Sequence, residues 1–295
     1  MIGSPAEAAR KHAEAIDVKK FLALMAVVVL SACGSSSSSP SGTAKVSPPP
    51  DSELFTSGTL TVGSDVSYPP QEFFAVGSTT ASGFDIDVGK ALADAMGLKY
   101  AVVNTPFDGI IPALNSKKFD IMISAMTITD ARSATVDFIP YFIAGESFVV
   151  TANSTVLPTK LADLCGKKVA AESGTAELDE ANGLNAAGGA CASNHVQVVT
   201  FQKDTEALAE LKKGNVDIHF TDSPVAAYEV QQTSGLKLSG GIIEVAPEGI
   251  ALRKGDSPLE DPVKAAFAQL KSDGTYASLL KKWNLADGDI TKATP

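Results

Sequence analysis

The sequence predicts an α/β protein in which short, mostly parallel strands alternate with amphipathic helices. Short apolar runs with strand-like alternation, such as residues 59–63, lie between longer stretches that carry apolar residues at helical spacing. Strands that alternate with helices in this way favour parallel sheets. The composition, 44% hydrophobic and 20% charged, is that of a globular protein with one large core or two modest ones.

The first predicted elements are a strand at residues 59–63 and a helix at residues 85–96. The helix carries Ile86, Val88, Leu92, Ala95 and Met96 at helical spacing, and Gly97 ends it. A second strand follows at residues 100–103. A second helix opens at residues 107–114, with a proline in or near its first turns.

The rest of the chain continues the alternation up to its last helices. Further strands are predicted at residues 121–123, 167–171, 196–201 and 216–220. Further helices are predicted at residues 204–213, 223–232, 262–273 and 275–283, and the last two close the chain.

The N-terminal segment has the pattern of a secretory signal. Lys19 and Lys20 precede an apolar run at residues 21–30, and small residues lead from there to Cys33. This run is too short to cross about 30 Å of hydrocarbon as a helix, so a permanent membrane span is not expected. Because the stretch before the lysine pair is long, we expect translation to start at Val18.

Cys33 is predicted to anchor the exported protein to a membrane. The sequence L-S-A-C-G resembles a bacterial lipobox, which implies a lipid on Cys33 and removal of residues 1–32. A non-lipidated signal with an incidental cysteine is the alternative. Residues 33–53 are Ser-rich and then Pro-rich, which predicts a tether. The body would then work outside the cytoplasm, at the cell surface or in the periplasm.

Cys165 and Cys191 remain once Cys33 is assigned to the lipid. An even pair in an exported protein predicts a disulfide, with two buried free thiols as the alternative. Closing that loop would stabilise the fold by about 3 kcal/mol. No CxxC motif or Cys/His cluster suggests a metal, and no cofactor is expected. The net charge of −10 argues against a nucleic-acid partner.

Several segments resemble, in their order along the chain, the bacterial extracellular solute-binding proteins of family 3. The resemblance covers roughly residues 54 to 285. The segments that carry it are residues 63–73 with 83–97, 107–138, 166–177, 212–230, and 249–256 with 266–283.

The resemblance implies a two-lobed fold of the type II periplasmic-binding-protein class, with two parallel-rich sheets flanked by helices and two hinge crossings. Residues 54–145 and 246–295 would form lobe 1, and residues 146–245 would form lobe 2. A polar amino acid would bind in the cleft, the lobes would close by hinge motion, and the closed monomer would dock on an ABC permease.

The resemblance also implies how the ligand backbone is held. Arg132 suits the α-carboxylate because a guanidinium donates two parallel hydrogen bonds, and Asp222 suits the ammonium group. The alternatives are a surface helix residue for Arg132 and a helix cap for Asp222. Further contacts are expected from Ser124, Ala125, Thr127, Gly174 and Thr175, partly through backbone groups next to a helix N-terminus.

Four other residues would contact the ligand side chain. Tyr68 and Phe107 match the family's aromatic walls, or they are core residues. Asp65 and Glu172 lie near the distal end of the expected pocket and would favour a cationic or amide ligand, although Glu172 could instead be a solvated strand end. Gln71 departs from the phenylalanine that is common there and leaves the finer ligand assignment open.

Three other functions remain as alternatives. The first is binding of a related compatible solute or an opine, and the second is a sensor domain, which is usually fused to a membrane helix and a signalling module. The third is a cleft enzyme such as a dehydratase, which needs a general acid and base. His195 lies in a polar loop and His219 is expected to be packed or exposed rather than catalytic, so no enzyme is predicted.

Overall fold

A computed structural model describes residues 46–292 of the chain. The strands are β1 (Thr59–Ser64), β2 (Ser67–Tyr68), β3 (Glu72–Phe74), β4 (Ala81–Ser82), β5 (Lys99–Asn104), β6 (Ile121–Met122), β7 (Val136–Thr151), β8 (Lys168–Glu172), β9 (Gln197–Phe201), β10 (Ile218–Asp222) and β11 (Leu236–Arg253). The α-helices are α1 (Phe84–Met96), α2 (Phe107–Asn115), α3 (Asp130–Ser133), α4 (Ala176–Gly183), α5 (Asp204–Lys213), α6 (Ser223–Gln232), α7 (Ser257–Ser272) and α8 (Thr275–Trp283).

Two groups of parallel strands are joined through a central antiparallel pair. Within residues 46–292, the strands pair in the order β5-β1-β6-β11-β7-β10-β8-β9. The pairs among β5, β1 and β6 are parallel, as are those among β10, β8 and β9. We call the elements around β5, β1 and β6 the first lobe and those around β10, β8 and β9 the second lobe. This is the α/β class that the sequence predicts.

Strands β7 and β11 cross from one lobe to the other as a long antiparallel pair. Their register runs from Leu236 opposite Thr151 to Arg253 opposite Val136. The register is irregular between Ser239 and Ile243 and again between Ile243 and Ala246. Such interruptions of the pairing bend a strand and increase its twist.

Each lobe has its own hydrophobic core. In the first lobe, α1, α7 and α8 cover the sheet, and Leu60, Phe84 and Leu92 are buried there without solvent exposure. In the second lobe, the rings of Phe148 and Phe220 lie 4.8 Å apart at a tilt of 39°, in a core beside the disulfide. Each lobe thus has internal packing of its own.

Most predicted elements lie within a few residues of their observed bounds, but the predicted start of α7 was wrong. The sequence predicts this helix from residue 262, whereas it begins at Ser257. Pro262 lies inside this helix, in its second turn, where the hydrogen bond to the carbonyl of Pro258 is missing. The small sheet of β2, β3 and β4 and the short helix α3 were not predicted.

Cys165 and Cys191 form a disulfide, as predicted. Cys33, the proposed signal and most of the proposed tether lie outside the described residues. The last tether residues contact the body, since the N–H of Val46 donates to the carbonyl of Ala95 at 3.2 Å. Among residues 46–292, no helix is both long and apolar enough to span a membrane.

Candidate functional site

A cavity lies between the two lobes, and residues from both lobes line it. Nine of the predicted ligand contacts are among its lining residues. The full lining set is Asp65, Tyr68, Glu72, Phe107, Ala125, Thr127, Arg132, Glu172, Thr175, Ala176, Glu177 and Asp222.

Arg132 links the two sides of the cavity. It lies on α3 after Thr129, whose hydroxyl accepts from the N–H of Arg132. Its Nη1 donates to the carbonyl of Thr127 at 2.6 Å, and its Nη2 donates to the carbonyl of Gly174 in the second lobe at 2.9 Å. The guanidinium lies 5.6 Å from the ring centre of Phe107. Arg132 is therefore a cleft residue and not a surface helix residue.

Asp222 faces Tyr68 of the first lobe rather than capping its own helix. The side chain of Asp222 makes no capping hydrogen bond to α6. Instead, the hydroxyl of Tyr68 donates to Oδ2 of Asp222 at 2.9 Å and accepts from the N–H of Asp222 at 3.1 Å. Burial raises the pKa of Asp222 to about 7, although the Tyr68 hydrogen bond opposes that shift. A cationic group beside Asp222 would restore its ionised form.

Glu172 ends strand β8 inside the cavity, as predicted for a pocket residue, and the alternative of a solvated strand end does not hold. It is buried, and its Oε1 atom has no hydrogen-bond partner among the described residues. Burial, followed by the charges of Asp204 and Asp65, raises its pKa to about 10. The unpartnered oxygen of Glu172 leaves one position at which a polar group of a ligand can bond, and a cationic group there would favour the ionised form.

Asp65 both lines the cavity and supports the first lobe. Its Oδ2 accepts from the N–H of Phe107 at 2.8 Å, at the start of α2, and its Oδ1 accepts from the Ser67 hydroxyl at 2.6 Å. Burial raises the pKa of Asp65, while these hydrogen bonds lower it. Since each oxygen already has a partner, Asp65 is less available to a ligand than Glu172.

Thr175 and Gly174 shape the second-lobe wall at the start of α4. Thr175 is the N-cap of this helix, with its hydroxyl accepting from the N–H of Leu178 at 3.3 Å. Gly174 does not line the cavity, but it has a φ of +81°, and a Cβ there would lie 2.9 Å from Cα of Asp108 in the first lobe. Only glycine allows this close approach of the two lobes without strain.

Ser124 lies behind the cavity wall. Its hydroxyl donates to Oε1 of Glu72 at 2.6 Å and accepts from the N–H of Asp65 at 3.0 Å. The next residue, Ala125, lines the cavity in a left-handed conformation, with a φ of +41°. Gln71 is also buried behind the wall, where its Nε2 donates to Oε2 of Glu248 at 3.2 Å.

Sequence reasoning missed three residues of the cavity lining, namely Glu72, Ala176 and Glu177. Glu72 follows Gln71 and begins the short strand β3, which has no clear strand pattern in the sequence. Glu177 lies in the first turn of α4, two residues after the predicted contact Thr175. Its position near a helix N-terminus next to a predicted contact was the signal that could have identified it.

The cavity has more acidic than basic side chains. One guanidinium, that of Arg132, faces the five carboxyl groups of Asp65, Glu72, Glu172, Glu177 and Asp222. Burial raises the pKa of each of these acids. The arrangement can accept one carboxylate at Arg132 and cationic groups elsewhere.

Comparison with known proteins places these features in a family. A sequence profile of the bacterial extracellular solute-binding proteins, family 3, matches residues 60–286. The L-cystine-binding protein of Escherichia coli K12 is 33% identical over 80% of this chain and 85% of its own length. The L-arginine-binding protein of Pseudomonas aeruginosa is 34% identical over 75% of this chain and 86% of its own length.

A solved structure extends the similarity to three dimensions. An ancestral arginine-binding protein, determined with bound arginine and also with bound glutamine, has a TM-score of 0.71 to this structure. It is 39% identical, and the match covers 77% of this chain and 98% of that chain.

Proposed function

This chain belongs to the bacterial extracellular solute-binding proteins of family 3, and we propose that it captures an amino acid with a cationic side chain for an ABC importer. Capture takes place outside the cytoplasm, by closure of the two lobes around the ligand. The chain acts as a monomer and hands the ligand to its permease.

The observation that carries this proposal is the charge of the cavity. Five carboxyl groups and one guanidinium line the same cavity between the lobes. An acidic or apolar ligand would leave several of these acids without counter-charge, which is costly for buried groups. A ligand with one carboxylate and two cationic groups supplies the missing charge. Arginine, lysine and protonated histidine have this composition.

The ligand backbone is assigned to Arg132 and Asp222. Two donors of Arg132 are engaged by the carbonyls of Thr127 and Gly174, which hold the guanidinium plane in place. Its remaining donors serve the α-carboxylate, together with the N–H groups at the start of α4. The carboxylate of Asp222 binds the α-ammonium, and Glu177 lies on the same side of the cavity.

The ligand side chain is assigned to the region of Glu172, with Tyr68 and Phe107 as aromatic walls. The Oε1 atom of Glu172 has no hydrogen-bond partner among residues 46–292. A guanidinium or ammonium group there would form a charge-assisted hydrogen bond. Because an amide also donates hydrogen bonds, glutamine is the second ligand in the expected order of affinity.

Ligand binding favours the closed state because the ligand bridges both lobes. Arg132 and Tyr68 belong to the first lobe, whereas Glu172 and Asp222 belong to the second. A ligand that contacts both pairs stabilises the closed form by its differential affinity. A binding protein releases its ligand chemically unchanged. A cleft enzyme would instead convert the bound compound to a product.

The ligand is identified by thermal unfolding of the full chain carrying Cys33→Ser, after removal of endogenous ligand. The twenty amino acids, betaines and polyamines are tested one at a time. A ligand at a thousandfold excess over its Kd adds about 4 kcal/mol and raises the Tm. Arginine, lysine or histidine should give the largest shift, and mass spectrometry should recover the ligand unchanged.

Other patterns in the same experiment contradict the proposal in different ways. A shift confined to glutamate, aspartate or apolar amino acids would retain amino-acid binding and reject the cationic ligand. A shift confined to betaines would favour a compatible solute. Conversion of a bound compound to a new mass would favour an enzyme.

We also propose that the protein is held at the membrane by a lipid on Cys33. The observation that supports it is the L-S-A-C-G sequence that ends the apolar run. Mass spectrometry of the exported chain should find an N-terminal Cys33 with a diacylglyceryl group. The Cys33→Ser variant should lose this mass and leave the membrane fraction, and an unmodified Cys33 in the wild type would refute the anchor.

A further inference from the structure

A second buried polar cluster lies in the second lobe, outside the ligand cavity. It consists of Asp204 at the start of α5, His219 on β10 and Glu229 on α6. Their exposed fractions are 1%, 0% and 3%. None of the three lines the cavity between the lobes. Three secondary-structure elements thus direct one imidazole and two carboxylates to the same buried point.

The three side chains converge on a single atom of the imidazole ring. The Nε2 atom of His219 lies 3.1 Å from Oδ1 of Asp204 and 3.4 Å from Oε1 of Glu229. One donor atom from each residue lies within 4.8 Å of the other two. Two carboxylates therefore approach one ring nitrogen, while the other nitrogen, Nδ1, faces neither of them in these pairs.

The contacts are poorly suited to hydrogen bonding. Neither ring nitrogen of His219 and neither carboxylate oxygen of Glu229 has an aligned hydrogen-bond partner among residues 46–292. A buried imidazolium between two acids would be expected to donate one N–H to each of them. Convergence of both acids on Nε2 without alignment is instead the pattern of ligands that surround a common centre.

The spacing of the donor atoms fits a tetrahedral metal ion. Zinc binds histidine nitrogen and carboxylate oxygen at about 2.0–2.2 Å, which places neighbouring ligand atoms roughly 3.3 Å apart. The two measured separations, 3.1 and 3.4 Å, lie on either side of that value. A mixed nitrogen and oxygen donor set of this kind suits divalent first-row transition metals.

The charge of the cluster is compatible with a divalent ion. A divalent cation with a neutral imidazole and two ionised carboxylates gives a net charge of zero. An imidazolium with one ionised and one protonated carboxyl group is also neutral, so it is the arrangement of the donor atoms that favours the metal.

We propose that Asp204, His219 and Glu229 bind one divalent transition-metal ion of the zinc class. The ion ties together α5, β10 and α6. Its ligand on β10, His219, lies three residues before Asp222. Its role is structural, because it would hold the strand end that presents Thr221 and Asp222 to Tyr68. This site is separate from the amino-acid site and does not depend on the ligand proposed for it.

The test measures metal binding by the full chain carrying Cys33→Ser, without an affinity tag and without amino acid. Metal is removed with a chelator during unfolding, and the protein is refolded with or without Zn²⁺, since the buried site has limited access. Elemental analysis after gel filtration should find one zinc per chain, and the Tm should rise with Zn²⁺. A chain with no stoichiometric zinc after refolding would overturn the proposal.

Paired variants locate the ion. Glu229→Gln and His219→Gln should each weaken zinc binding at least tenfold. Glu206→Gln, an exposed acid on α5, and His195→Gln, an exposed histidine of the same lobe, should bind zinc as the wild type does. Wild-type affinity in Glu229→Gln would show that any bound zinc lies elsewhere and would reject the site.

A measurement on the wild type covers the case in which the variants fail to fold. Zinc should shift the ring ¹⁵N resonance of the buried histidine to the range of a metal-bound nitrogen. Assignment comes from His12→Gln with His195→Gln, which together leave His219 as the single histidine of the chain. An unchanged ring signal for His219 in the presence of Zn²⁺ would leave a simple histidine–carboxylate ion pair and overturn the proposal.

Discussion

The hydroxyl of Tyr68 donates to the carboxylate of Asp222 at 2.9 Å and accepts from the N–H of the same residue, across the cleft between the lobes. Tyr68 lies on β2 of the first lobe and Asp222 at the end of β10 in the second lobe. The pair is buried on both sides. Two residues of the candidate ligand site therefore also hold the two lobes together.

Tyr68→Phe should weaken ligand binding by about 10- to 100-fold. The substitution keeps the aromatic wall and removes the hydrogen bond to a charged partner, which is worth about 1.5–3 kcal/mol. Isothermal titration with the preferred amino acid measures the change. Tyr100→Phe is the matched control, because the buried Tyr100 hydroxyl has no partner among the described residues. Equal affinities in the two variants would contradict a role for the Tyr68–Asp222 pair.

Arg132→Ala should reduce binding by at least about 3 kcal/mol, or more than a hundredfold, because a buried carboxylate loses its charged partner. Arg132→Lys should recover only part of the affinity, since an ammonium cannot hold the carbonyls of Thr127 and Gly174 and a carboxylate in one plane. Titration calorimetry reports both, with the exposed Lys213→Ala as control. Near-wild-type affinity in Arg132→Ala would refute the carboxylate assignment.

Glu172→Gln should change ligand preference more than overall stability. Loss of this acid should lower affinity for arginine or lysine at least tenfold while affecting glutamine much less. The ratio of the two affinities, measured by competition, is the informative quantity. Glu206→Gln removes an exposed acid of the same lobe and should leave the ratio unchanged. A parallel loss for both ligands would mean that Glu172 acts on the fold and not on the side-chain pocket.

Gly174→Ala should hinder closure of the lobes. The added Cβ would meet Cα of Asp108 at 2.9 Å, and the φ of +81° adds backbone strain. Gly214→Ala separates these causes, because Gly214 has a φ of +77° and no atom near the added Cβ. Both variants should lose about 1 kcal/mol of stability, but only Gly174→Ala should lose affinity, by roughly tenfold or more. Equal ligand affinities in Gly174→Ala and Gly214→Ala would show that the added Cβ at residue 174 does not hinder closure.

Asp85 should make the ligand-free protein less stable as pH rises from about 4 to about 6. Burial raises its pKa to about 6, although Tyr141 and the N–H of Ala125 donate to the ionised form. The Asp85 carboxyl group thus binds its proton more tightly in the folded state than in the unfolded state. The contribution favours folding at pH 4 and is lost as pH reaches about 6, by an amount on the order of 2 kcal/mol.

Urea unfolding of the wild type and Asp85→Asn across pH 4 to 7 tests this sign. The neutral amide cannot lose a proton, so the variant should show a shallower fall in stability over this range. Glu72 titrates beside Asp85 and keeps part of the dependence in both proteins. Identical slopes would mean that Asp85 has an ordinary pKa in the folded state.

The sequence alone determined much about this protein. Local patterns placed α5 and α6 at their observed bounds, since each helix is marked by its own apolar spacing and end residues. The order of the family segments identified Arg132 and Asp222, and both line the same cavity. The pairing of Cys165 with Cys191 followed from the number of cysteines left after Cys33.

Only the tertiary structure decided which acids are buried and what they face. Glu172 was read both as a pocket residue and as a solvated strand end, and Glu72 and Glu177 were not predicted in the cavity. His219 gave no sign in the sequence of its two carboxylate neighbours, which lie 15 and 10 positions away on different helices. A polar residue type does not report its burial, because burial is set by the packing of segments that are distant in the chain.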